Sequence, residues 1–117
     1  MLNKITENCI KELKNISSSL VEIEDNNETT EGYNIAVLCI KDGISTRIDL
    51  LSDMLDDTEN DKTNAIQCID FIENLIAIIN ECADEMNGKT KEGYNKAISI
   101  FCDNVQPLID WLETQIE

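Results

Sequence analysis

The sequence predicts an all-α fold: an antiparallel four-helix bundle built from two duplicated αα-hairpins. Three observations lead there. Apolar residues recur every three or four positions in four separate runs, the spacing that lines one face of a helix and not the alternation of a strand. Short polar segments with turn chemistry separate the runs, and short connections set consecutive helices antiparallel. The second half of the chain also repeats the first, as a duplicated structural unit does.

In the first run Ile5, Cys9, Leu13, Ile16, Leu20 and Ile23 share one helical face, and the segment Glu-Asp-Asn-Asn-Glu-Thr at 24–29 ends it. The second run uses Tyr33, Val37, Ile40, Ile44, Ile48, Leu51 and Leu55, and closes on Asp-Asp-Thr-Glu-Asn-Asp at 56–61. Asp57, Glu59 and Asp61 have the opening rhythm of a calcium loop. Lys62 stands where that loop needs glycine, however, and Cys68 where it needs glutamate, so a capped interhelical turn is expected. The third run uses Ala65, Ile69, Ile72, Ile76, Ile79, Ala83 and Met86. Asn87-Gly88 follows, with a glycine free to take a left-handed cap conformation. The fourth run uses Tyr94, Ile98, Phe101, Val105, Ile109, Leu112 and Ile116. Pro107 lies inside it, and because its ring clashes with the carbonyl of Asp103 a kink or pause is expected there.

Runs two and four coincide. Adding 61 to each position of the second stripe gives the fourth, and Thr29-Thr-Glu-Gly-Tyr-Asn-Ile-Ala36 aligns with Thr90-Lys-Glu-Gly-Tyr-Asn-Lys-Ala97. Runs one and three match at an offset of 59, which makes the first hairpin loop two residues longer. The repeat covers 3–55 and 62–116 of one helical domain, 1–117. Neither hairpin can bury its own apolar face, so the two are expected to pack together, with a pair of chains as the alternative assembly. Helices two and four then run in the same direction and present both Glu-Gly-Tyr-Asn segments at one end. With Thr29 and Thr90 as N-caps, Glu31 and Glu92 favour the helix dipoles and Gly32 and Gly93 leave room for a neighbouring backbone. Tyr33, Asn34, Tyr94 and Asn95 would line a paired notch.

Composition narrows the chemistry. The chain has 24 acidic and 9 basic residues, a net charge of −15, no histidine and 42% apolar residues, which is too apolar for an acidic disordered tail. Without histidine the commonest general base and metal ligand is missing. A di-iron bundle centre needs Glu-x-x-His pairs, and the seven-residue stripes of helices two, three and four hold no carboxylate. Cys9, Cys39, Cys68, Cys82 and Cys102 form no Cys-x-x-Cys pair. Free buried thiols in a reducing cytosol fit that pattern better than zinc or disulfides. No cofactor, no metal and no enzymatic activity are expected. The start lacks the apolar core of a signal peptide, and no stretch reaches the length of a membrane span, so a soluble cytoplasmic protein of a bacterium or of a phage-infected cell is expected. Direct nucleic-acid binding is not expected, because it needs clustered lysine and arginine.

Two surfaces remain as candidates. Asp42, Asp49, Asp53 and Asp56 on the second helix, and Asp103, Asp110 and Glu117 on the fourth, face away from the core stripes, and residues 63–88 and 97–117 contain no lysine or arginine. Phe71 and Ile78 on the third helix, with Ile100 and Trp111 on the fourth, add apolar residues beside the core stripe. The leading expectation is a chaperone- or adaptor-like protein-interaction module. It would bind a basic or amphipathic-helical surface of another protein, or a second copy of itself, through this helix-three and helix-four flank. The rival is a counter-defence inhibitor whose acidic stripes imitate nucleic acid and block a basic cleft.

Overall fold

The computed structural model describes residues 3–56 and 60–117. Asp57 and Glu59 of the calcium-like rhythm lie outside the described residues. Four helices make up the fold: α1 (Lys4–Ser19), α2 (Glu28–Asp53), α3 (Asp61–Asp84) and α4 (Gly88–Thr114). They pack around one apolar core in a rod of 49 × 23 × 20 Å. At 1.5 Å per residue a helix the length of α2 or α4 spans roughly 40 Å, so these two set the long axis.

Asparagine opens every helix. Asn3, Asn27 and Asn60 each accept a hydrogen bond on the side chain from the backbone N–H three residues on, at 2.8–3.0 Å. Each satisfies one of the N–H groups that a helix start leaves unpaired. Asn87 is the fourth N-cap, without a side-chain bond. The expected caps Thr29 and Thr90 therefore lie inside the first turns. Asn27 reaches the Thr30 N–H first, and Gly88, at φ 59°, turns the chain from α3 directly into α4. The left-handed glycine expected at this turn is present. Both long helices end alike, two residues short of the expected Leu55 and Ile116. The N–H groups of Met54 and Leu55 bond Leu51 and Ser52, and those of Gln115 and Ile116 bond Leu112 and Glu113.

The first helix is shorter than its stripe suggested. It stops at Ser19, Leu20 closes the core, and Ile23, expected on the buried face, is 42% exposed. At the repeat offset Ser17-Ser18-Ser19 stand where α3 has Ile76-Ala77-Ile78. Serine competes for backbone hydrogen bonds, and the Ser19 hydroxyl donates to the Ile16 carbonyl at 2.6 Å. The chain then leaves the helix, and residues 20–27 connect α1 to α2 while only 85–87 connect α3 to α4. The first loop is thus five residues longer, not two.

The core contains the remaining stripes, with Tyr33, Ile48, Leu55, Ile76, Met86 and Ile116 only partly covered. The Asn3 N–H bonds the Leu55 carbonyl at 2.9 Å and ties the start of α1 to the end of α2. The longest interface joins α2 to α4, which run side by side from their starts. A Cβ on Gly32 would lie 1.8 Å from the Thr90 carbonyl oxygen, and one on Gly93 would lie 1.7 Å from that of Thr29. Only hydrogen fits at either point. The two contacts are reciprocal, since Gly93 and Thr90 sit 61 residues after Gly32 and Thr29. The α4 helix runs unbroken through Pro107, so the expected pause is absent. Pro107 and Asp103 both lie on the exposed side of α4, where a carbonyl that proline cannot bond is less costly than in the core.

Candidate functional site

The paired helix starts are brought together, and their residues divide into different tasks. Gly32 and Gly93 form the α2–α4 seam just described. Tyr94 is fully buried, while its counterpart Tyr33 is only partly covered. Asn34 holds the α1–α2 connection like a strand partner: its Oδ1 accepts from the Ile23 N–H, and its Nδ2 donates to the Ile23 carbonyl, both at 2.8 Å. Asn95 is exposed, because the tight α3–α4 turn sends no chain past it. An open notch of about 860 Å³ does lie at this end, but Asn27–Thr30, Gly88 and Lys89 line it. The tyrosines and asparagines expected there do not.

All seven acidic candidates are exposed. Asp42, Asp49 and Asp53 are on α2 and Asp103 and Asp110 on α4, whereas Asp56 and Glu117 lie past the helix ends. Lys41 and Arg47, the basic residues of α2, do not neutralise the row beside them. Lys41 donates to the carbonyls of Ser17 and Leu20 at 3.0 and 2.8 Å. It thereby supplies the cation that the last turn of α1 lacks and that the helix dipole favours. Arg47 donates from Nε to the Phe71 carbonyl at 2.9 Å and from Nη1 to the Gly43 carbonyl at 3.2 Å. Among the described residues none of the seven carboxylates forms an ion pair; Asp110 accepts instead from Gln106 at 2.8 Å. Asp42, Asp49 and Asp53 recur along one side of α2 and Asp103 and Asp110 along one side of α4, each away from the buried stripe of its own helix. They form two acidic ridges, one on each helix.

The apolar candidates separate in the same way. Phe71 and Trp111 are partly buried against the core, and Ile78 and Ile100 are exposed at 49% and 36%. Phe71 and Ile78 flank Leu75 on the side of α3 that meets α2, where Leu75 fills the space beside Gly43. The groove they border is therefore α2–α3. Ile100 and Trp111 share one side of α4, three turns apart.

The cysteines are not uniformly buried. Cys9 and Cys68 are fully enclosed, Cys82 and Cys102 are half-buried, and Cys39 is exposed, which corrects the expectation of five buried thiols. Cys9 on α1 and Cys68 on α3 occupy equivalent repeat positions and meet in the core. The hydrogen bond to Cys68, and burial, hold the Cys9 thiol far above its ordinary range, while that bond lowers Cys68. The Cys68 thiol also bonds the Thr6 hydroxyl at 4.0 Å. Burial pushes Cys39 up, helped by Cys82 and Asp42 and opposed by a hydrogen bond from Tyr94. Burial, and then Asp103, raises Cys102.

Among the described residues no group of three or more Cys, Asp or Glu side chains is placed to hold a metal ion, and no helix is long and apolar enough to cross a membrane. Comparison with protein-family models, with curated proteins and with solved structures finds no match to this chain.

Proposed function

We propose that this chain is a non-enzymatic, cytoplasmic protein-interaction module whose partner presents a basic surface. The observation that supports this reading is the state of the acidic ridges: exposed carboxylates with no ion pairs, beside a lysine and an arginine already committed to backbone carbonyls. A row left unneutralised attracts cationic surfaces and speeds encounter. Asp42 and Asp49, like Asp103 and Asp110, stand seven residues apart, roughly 10 Å along the helix. The fifteen net charges along the 49 Å axis amount to one per about 3.3 Å, near the one per about 3.4 Å of a single nucleic-acid strand. That density favours a partner whose basic groove ordinarily receives nucleic acid, the counter-defence reading.

The adaptor reading, in which an amphipathic helix docks on the apolar flank, draws its support from Ile78 and Ile100, the two exposed members of that set. We also read the two hairpins as copies of one ancestral unit, a reading supported by the reciprocal glycine contacts and the matched ends of α2 and α4.

The test is capture from host lysate with the wild-type chain and with a variant carrying Asp42→Asn, Asp49→Asn, Asp103→Asn and Asp110→Asn, each washed at low and high salt. A basic nucleic-acid-binding protein held by the wild type at low salt, released at high salt and missed by the variant is the expected result. A partner held equally by both chains at either salt overturns the charge-led reading and directs attention to Ile78 and Ile100.

A further inference from the structure

Three of the four asparagines that open helices are tied down, and one is not. Asn3, Asn27 and Asn60 each hold a backbone N–H on the side chain, and they precede lysine, glutamate and aspartate. Asn87 makes no such bond, is exposed, and precedes glycine. Its main chain is also the least held of the four. The first turn of α4 closes on the Asn87 carbonyl at 3.3 Å, against 2.9, 2.9 and 3.1 Å at the starts of α1, α2 and α3. Gly88, at φ +59°, has open space where a Cβ would stand. As the first residue of α4 it carries an N–H that the helix itself leaves unpaired. The open notch of about 860 Å³ reaches Gly88, so water has access to the turn. A free side-chain amide thus stands next to an uncommitted and unshielded backbone nitrogen.

We propose that Asn87 is a self-modification site, converted to aspartate and isoaspartate after attack by the Gly88 backbone nitrogen on its side-chain carbon. The ψ angle at Asn87 is 156° and must turn to bring the nitrogen onto Cγ, a rotation that no side-chain bond opposes. Attack within one chain needs no encounter between molecules. In the first step the N–Cγ bond forms, the Cγ–Nδ2 bond breaks, and ammonia leaves with the Gly88 amide proton. Water then opens the five-membered imide that remains. If the N–Cγ bond breaks, residue 87 becomes aspartate. If the bond from that nitrogen to the main-chain carbonyl carbon of residue 87 breaks, the chain runs on through Cγ as isoaspartate. One water is consumed and one ammonia released, with nothing oxidised or reduced. Either product puts a carboxylate at the start of α4, where the helix dipole favours it. Isoaspartate also adds one backbone carbon to a connection of only three residues, 85–87. Inside the helices the same attack is blocked, because the N–H after each asparagine is committed to the carbonyl four residues back. None of this depends on what the acidic ridges bind.

The test keeps the native wild-type chain for weeks in warm neutral buffer and maps its peptides by mass spectrometry, with asparagine, aspartate and isoaspartate forms separated. Conversion is expected at residue 87 before any other asparagine, with ammonia released in step. Gly88→Ala is expected to slow it, since a methyl group shields the nitrogen. That variant also strains a positive φ, so Glu28→Gly supplies a second arm, giving Asn27 a glycine successor while leaving its cap bond. Asn27 in that variant is expected to convert about fivefold more slowly than Asn87, the factor that one cap bond contributes. Three results overturn the proposal: Asn27 as fast as Asn87 in Glu28→Gly, conversion that begins at Asn26 in the α1–α2 connection, or an Asn87 that converts in the urea-unfolded chain but not in the native one.

Discussion

Four glycines stand in this chain, and the reasons for them differ. At Gly93 the obstacle to a side chain is another backbone, the Thr29 carbonyl. A carbonyl fixed in a helix cannot rotate away as a side chain can. Gly93→Ala must therefore push α2 and α4 apart and is expected to cost about 3 kcal/mol or more, at the upper end of overpacking penalties. At Gly88 there is open space, and only the positive φ resists a side chain, which costs about 1–2 kcal/mol. Urea denaturation of Gly93→Ala and Gly88→Ala side by side measures the difference, and equal losses would mean that the seam is looser than the geometry states.

The helices show where the sequence was legible and where it was not. Apolar spacing identified four helices and 20 of the 26 buried apolar residues, because burial follows periodicity over many turns; Ile10, Ala36, Cys68, Leu75, Ala97 and Leu108, beside the stripes, were missed. Ends follow from one or two local bonds, which periodicity does not register. Asn3, Asn27, Asn60 and Asn87 stood before the runs, yet the repeated threonines drew the expected caps two or three residues too late. Ser17-Ser18-Ser19 carried the signal for an early end to α1. The roles of Lys41 and Arg47 carried none, since the carbonyls of Ser17, Leu20 and Phe71, 21 to 24 positions away in the chain, come within reach only through the packing of α1, α2 and α3. The caps give a direct check: Asn27→Ala should lose about 1 kcal/mol, the usual worth of a side-chain cap bond. Asn87→Ala, with no such bond to lose, should lose less than half of that in the same denaturation assay.

At the scale of the molecule, charge works against the fold. Fifteen net negative charges are held within a rod 20–23 Å across, with no ion pairs among the described residues to relieve them. Salt screens such repulsion over about 10 Å at 0.1 M. Raising sodium chloride from 20 to 300 mM is therefore expected to raise the melting temperature by about 5 °C, the shift that roughly 1 kcal/mol produces in a domain of this size. A flat response in calorimetry would show that the ridges do not strain the fold. The seam between α2 and α4 reaches further than stability. Where two backbones touch, neither half can vary by itself, for a side chain gained at one glycine collides with the other half's threonine carbonyl. The two Glu-Gly-Tyr-Asn segments are thus each other's template. On the proposed reading of the hairpins as copies of one unit, the two glycines are the letters that this contact holds in common, while loop length, helix length and the burial of the tyrosines differ between the halves.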